Sequence, residues 1–186
     1  MNYRLTIFLF LLIFAPNSKA APNPEEITER FAMALNRFDA EAMAEEMHSD
    51  ALDFFKRFSI HIASSPKNED DRNQLLEAFR VSTITELKAL DAKTATTRFY
   101  QFAFGNVRQE IKDVADQSSI RIIGSLKDGE DYCVLYRTDL TVEGVDTMVP
   151  SVIILREEDG ELKVLNTTQM ETVKAKAYAQ GLKKEN

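Results

Sequence analysis

The sequence predicts an α+β fold in which N-terminal helices pack in a four-or-more-stranded antiparallel meander. Two observations predict it. From Asn23 to Asn106, apolar residues recur at helical spacing behind Asn, Asp and Thr cap signals. From Ser119 to Thr168, segments rich in β-branched and aromatic residues are broken by Asp128-Gly129, Glu143-Gly144 and Asp159-Gly160. An acidic residue followed by Gly between such segments is a strong hairpin signal, because both positions accept φ > 0.

The first helix starts where Asn23 is a good N-cap, Pro24 suits the first helical position and Glu26 can close a capping box. Ile27, Phe31, Ala34, Leu35 and Phe38 form its apolar stripe. Asp39 caps a short second helix bearing Ala40, Met43, Ala44 and Met47. Asp50 restarts the chain into a third, with Leu52, Phe55, Phe58 and Ile62 as its apolar side. Ser64-Ser65-Pro66 and the charged run Asn68 to Asp71 read as a loop. Leu75, Leu76 and Phe79 mark another helix, and Thr83 with Glu86 forms a second capping box ahead of Leu87 and Leu90. Asp91 caps a helix bearing Phe99, Phe102 and Ala103, which Gly105-Asn106 stops. The Ala- and Lys-rich tail from Thr172 reads as a solvated helix or a frayed end.

Treating each Gly turn as a two-residue loop sets the strand register. Lys127 then faces Glu130, Val142 faces Val145 and Glu158 faces Glu161. One sheet face aligns Arg121, Tyr136, Ser151 and Thr168, then Ile123, Val134, Ile153 and Asn166, then Ser125, Tyr132, Leu155 and Val164. The other carries Ile122, Leu135, Val152 and Thr167, then Gly124, Cys133, Ile154 and Leu165. It ends with Arg137 opposite Pro150 and Asp139 opposite Met148. Both faces are largely apolar, whereas a sheet with one wet face alternates apolar and polar. Helices cover one face; a second copy of the chain, joined sheet to sheet as a homodimer, is the expected cover of the other.

The Pro24-Glu25-Glu26 helix start, the run Phe31 to Leu52 (FAMALNRFDAEAMAEEMHSDAL) and the terminal Val152 to Leu165 (VIILREEDGELKVL) resemble the nuclear transport factor 2-like (cystatin-like α+β) superfamily. Two features depart from its pattern. Leu162 stands where the family often has an aromatic, and Ser59 to Asn106 is longer and more helical than in compact members. The resemblance implies a cone, a curved sheet wrapped around the helices with an apolar pocket at its open end. It also implies two functional classes: exported domains without known activity, and small-molecule isomerases, cyclases or dehydratases with a carboxylate or His in the pocket.

Met1 to Arg4 is short and basic, Leu5 to Ala15 is apolar, Pro16-Asn17 breaks the run, and Ser18 and Ala20 place small residues at −3 and −1. The pattern predicts a signal peptide over residues 1–20, cleaved after Ala20, and a secreted or periplasmic single domain over 21–186. The apolar run falls short of the roughly 20 residues a spanning helix needs, so no membrane anchor is expected in the mature chain. The formal charge is −7, and loss of Arg4 and Lys19 makes the chain more acidic, which argues against nucleic acid as a partner. Cys133 is the single Cys, so no internal disulfide is expected. Within a strand it reads as a small buried apolar residue.

No phosphate-cradling Gly loop or Gly-x-Ser-x-Gly occurs, and neither a cofactor nor a metal is expected. His48 with Glu45 and Asp50 lacks the spacing of a zinc site and reads as a residue at a helix C-terminus. The register isolates one polar row, Arg121, Tyr136 and Ser151, with Asn166 diagonal to Ser151. A buried Arg needs a partner, and a buried Tyr hydroxyl usually finds one. On a concave face this row makes a ligand site in which Arg121 recognises a carboxylate; at the sheet rim it meets solvent or helix ends. On the opposite face Arg137 and Asp139 form a surface or interface ion pair, or become the pocket groups if that face is concave. The expected function is non-catalytic binding of a small apolar or amphipathic molecule or of a partner protein. The alternative is an isomerase, cyclase or dehydratase of the same fold, with His48 or Asp139 as its acid–base group.

Overall fold

The computed structural model describes residues 23–64, 69–179 and 182; the expected signal peptide lies outside the described residues. Helices α1 (Pro24–Asn36), α2 (Ala40–Glu45), α3 (Ser49–Ala63), α4 (Glu69–Ala78), α5 (Ile84–Ala89), α6 (Ala92–Gly105) and α7 (Gln109–Asp116) come first. Strands β1 (Ser119–Asp128), β2 (Asp131–Val142), β3 (Val145–Glu158) and β4 (Glu161–Thr167) follow, and α8 (Thr168–Ala179) ends the described chain. The strands form an antiparallel meander in the order β1-β2-β3-β4, curved and not closed. The chain is therefore α+β, as its turn and cap signals predict.

Side chains cap the helices where the sequence places cap residues. Asn23 accepts the Glu25 N–H at 3.1 Å, Asp39 that of Ala42 at 3.0 Å, Thr83 that of Glu86 at 3.1 Å and Asp91 that of Thr94 at 2.8 Å. Each satisfies an N–H that has no partner inside its helix. Glu26 closes no capping box; it pairs with Arg30 at 3.0 Å. The cap of α3 is His48, not Asp50: its Nδ1 accepts the Asp50 N–H at 3.1 Å. His48 thus stands at a helix N-terminus rather than the expected C-terminus. Glu69 to Asp71, expected in a loop, open α4. The sequence analysis assigns no element to α7, an eight-residue helix.

Two apolar clusters hold these elements. In the first, Phe31, Met43 and Met47 of the helical layer meet Val134, Ile153, Leu155 and Val164 of the sheet's inner face. The second is wholly helical and gathers Ala63, Leu76, Phe79, Leu87 and Ala95. It is what the long Ser59 to Asn106 segment builds. The rings of Phe79, Phe99, Phe55, Tyr100, Phe104 and Phe38 follow one another at centroid separations of 5.7, 5.0, 5.5, 5.4 and 5.4 Å, linking the second cluster to the first. Each such pair contributes about 0.5–1.5 kcal/mol beyond its burial. The tail is neither frayed nor simply solvated: Met170 packs on the first cluster, Ala177 is buried, and Lys174 Nζ lies 5.5 Å from the Phe54 ring centre.

The central register is as expected. Val142 pairs with Val145, Tyr136 with Ser151, Val134 with Ile153 and Arg137 with Pro150. Glu143-Gly144 and Asp159-Gly160 both have positive φ at both positions, as two-residue primed turns require. The outer strands differ. The first loop is Gly129-Glu130, with Asp128 paired to Asp131, and Gly129 alone takes a positive φ. A bulge at Ile123 then brings Ile122 opposite Tyr136 and Arg121 opposite Arg137. A second shift, at Leu165, pairs Asn166 with Ile154 and Thr167 with Ile153. One extra residue turns every later side chain to the other face.

Beyond β4, the helical layer grips the sheet directly. Met47 bridges Val164 in parallel fashion, with the His48 N–H donating to Val164 O at 2.9 Å and the Val164 N–H to Glu46 O at 2.7 Å.

Candidate functional site

A cavity of about 340 Å³ lies among the helical segments and touches the sheet at the end of β4. Phe31 and Leu35, one turn apart on α1, form one wall, and Met43 and Met47 of the second helical segment form the next. Phe54 and Phe55 come from α3, Tyr100 from α6, Thr167 from the end of β4, and Met170 and Val173 from α8. The lining is nearly all apolar, with the Tyr100 phenol and the Thr167 hydroxyl as its polar groups. Met side chains are unbranched and polarizable, so a wall containing three of them adapts to irregular apolar shapes. Burial pushes the Tyr100 phenol above its ordinary value, so it stays a neutral donor at physiological pH. No hydrogen bond joins that phenol to another described residue.

The volume falls within the range of about 300–1,000 Å³ found for small-molecule pockets, and an apolar wall with one or two polar groups is their usual form. At about 30 Å³ for a water-sized group, the space admits roughly eleven such groups. Nothing in this arrangement presents a nucleophile beside a base, and no carboxylate or imidazole stands among the described lining residues.

The expected polar row divides. Tyr136 and Ser151 are paired and buried at 7% and 9% exposure. Burial raises the Tyr136 pKa, and the neighbouring Ser151 hydroxyl partly offsets that rise. Arg121 is exposed on the outer face, opposite Arg137, because the Ile123 bulge turned it away from Tyr136. Asn166 is buried, accepts the Thr167 N–H at 3.0 Å and hydrogen-bonds the Glu171 carboxylate through its amide. The sequence row therefore brings together Tyr136 and Ser151 but not Arg121.

Arg137 and Asp139 do pair on the outer face. Nε of Arg137 lies 2.9 Å from Asp139 Oδ1 and donates a hydrogen bond to Oδ2 at 3.2 Å. Oδ1 itself is buried and makes no hydrogen bond. A salt bridge holds Arg156 across from Asp131 on the same face, with bonds of 2.7 and 2.9 Å. Around them Ile123, Leu126, Leu135, Met148 and Val152 are exposed. Cys133, expected to be buried, is half-buried there and free.

His48 is committed to structure. Besides capping α3 it stands 3.8 Å from Asp50 Oδ2 and 3.9 Å from Glu158 Oε1. The Glu158 carboxylate accepts the Ser49 N–H at 3.2 and 3.3 Å. Burial alone would raise the Glu158 pKa; the two kinds of bond to Ser49, helped by His48 and Lys163, hold it below the ordinary value. Among the described residues no group of three or more His, Cys, Asp or Glu is placed to hold a metal ion, and no helix is long and apolar enough to cross a membrane.

No sequence signature groups the cavity residues. The helical stripes place Phe31, Leu35, Met43 and Met47 inward but cannot show that they leave a space. Tyr100, directly after Phe99 in the α6 stripe, is the one lining residue whose polar tip signals more than core. No protein-family model matches the chain, and neither does any curated protein sequence.

Proposed function

We propose that this chain is an exported, non-catalytic α+β domain that binds a small apolar or amphipathic molecule among its helices, at the end of β4. The single observation carrying the reading is the cavity of about 340 Å³ walled by Phe, Leu and Met with one neutral phenol. Helices followed by a curved meander also agree with the nuclear transport factor 2-like resemblance. A binding reading asks of the site no acid–base group, which suits this lining better than isomerase or dehydratase chemistry does.

Isothermal titration with 1-decanol as the probe tests it. Val173 lines the cavity and is 37% exposed, so a larger side chain enters from the rim rather than from the packed core. Wild type should bind 1-decanol and Val173→Trp should bind it at least tenfold more weakly. Absence of binding in wild type, or equal binding in the variant, overturns the reading. Export is checked by the intact mass of the protein recovered outside the cytoplasm, which should begin at Ala21.

The outer face supports self-association. Leu126, Leu135 and Val152 are exposed side by side on a sheet face, and apolar surface of this kind marks interfaces. A homodimer related by a two-fold axis would cover both copies of the patch at once. Light scattering of Leu135→Lys against wild type decides the point: a monomer in both, or a dimer in both, counts against this face.

A further inference from the structure

A second cavity, of about 350 Å³, has a different lining. Arg37, Lys112 and Asp116 provide its charges, and Phe38 and Phe104 its apolar floor. Lys112 Nζ sits 5.9 Å from the Phe38 ring centre. Neither Arg37 nor Lys112 forms an ion pair with a described residue. Two cations without an ion pair face one Asp in the lining, whose Gln101 and Gln109 amides donate to Glu41 and Asp113 just outside it.

The two spaces are lined from neighbouring positions of the same two segments. On α1 and its C-terminal turn, Leu35 faces the apolar cavity and Phe38, three residues on, faces the groove. On α6, Tyr100 faces the cavity and Phe104, four residues on, faces the groove, with the two ring centres 5.4 Å apart. Four residues along a helix is one turn, about 5.4 Å. On α6 the apolar cavity therefore lies one turn from the groove that holds Arg37 and Lys112. Arg37 directly precedes Phe38, a residue held at φ 55, so that the chain turns sharply as it leaves α1.

We propose that cavity and groove form one site for a single-chain anionic amphiphile, its hydrocarbon tail among Leu35, Met43 and Tyr100 and its carboxylate against Arg37 and Lys112. The inference rests on the ligand-binding reading above and names the ligand class. An apolar tail alone leaves Arg37 and Lys112 idle; an anion alone leaves the methionine-lined space empty. A carboxylate carried on a tail of roughly ten groups suits both, by volume at about 30 Å³ per group and by charge. It also reassigns the anion-recognising role from Arg121, which the β1 bulge carries to the outer face, to cations at the helical end of the cavity.

Titration with decanoate and with 1-decanol, on wild type and on the double variant Arg37→Ala/Lys112→Ala, tests the proposal. The expected result is that the double variant weakens decanoate about tenfold and leaves 1-decanol within twofold. Decanoate binding to wild type should also weaken on adding salt, while 1-decanol binding should not. If both probes bind and the variant leaves decanoate unchanged, this inference fails and the cavity reading survives. Equal weakening of both probes also overturns it, because the variant then acts through the fold. If neither probe binds wild type, the cavity reading fails first and this inference with it.

Discussion

Tyr136 and Ser151 face each other across β2 and β3, buried at 7% and 9% exposure, and the Ser151 hydroxyl is the polar neighbour that lowers the phenol's pKa. Ser151→Ala leaves the phenol buried without its partner, and stranding a buried polar group costs about 1–3 kcal/mol. Tyr136→Phe strands the serine hydroxyl instead. The double variant strands neither, so its cost should fall short of the sum of the two singles by about 1 kcal/mol. For a domain of this size 1 kcal/mol moves the midpoint of thermal unfolding by about 2–4 °C. Urea unfolding of the four proteins in a double-mutant cycle supplies the energies. An ultraviolet titration of the phenol supplies a second readout. Because Ser151 lowers the Tyr136 pKa against the larger effect of burial, Ser151→Ala should move the phenol further up. The stability linked to that raised value is present below the unfolded tyrosine pKa and is lost as pH rises through the folded one. Additive costs within about 0.3 kcal/mol, together with an unmoved titration, would refute the reasoning.

Glu158 behaves in the opposite sense: its folded pKa is lowered, so its stability is present above the unfolded carboxyl value and lost as pH falls through the folded one. Denaturant midpoints measured stepwise into acid should fall less steeply in Glu158→Gln than in wild type; parallel curves would contradict this. Phe79 is fully buried in the helical cluster, and Phe79→Ala should cost about 3–5 kcal/mol by equilibrium unfolding. Gly160 holds φ 82 with open space where a Cβ would stand, so Gly160→Ala should cost about 1–2 kcal/mol from the backbone alone, read as a lowered unfolding midpoint.

What the sequence shows of this fold follows from how local each signal is. Asp39, Thr83 and Asp91 cap helices because a cap needs one side chain and the N–H groups beside it, all close in sequence. The Glu143-Gly144 turn places Tyr136 opposite Ser151 because no bulge intervenes along β2 and β3. The Ile123 and Leu165 shifts have no comparable signature, and they are what separates Arg121 from Tyr136 and brings Thr167 onto the inner face. Gly124, inside an otherwise bulky strand, is the one trace of the first, since Gly within a strand often marks a bulge. The cavity is less legible still. Met43, Met47 and Met170 read as ordinary core, and a space among them depends on packing between segments more than a hundred residues apart. The same holds for the groove, whose cations come from the end of α1 and from α7.

The strap of residues 46–48 along β4 has a consequence for how copies can add to one another. A meander has two edges, each a row of free N–H and C=O groups open to strand addition. Here the β4 edge is already occupied at its centre by Glu46 and His48, which take both main-chain groups of Val164. The β1 row carries its own bulge at Ile123, which disturbs part of it. The contact that locks the helices to the sheet therefore also removes the middle of the β4 edge from strand addition.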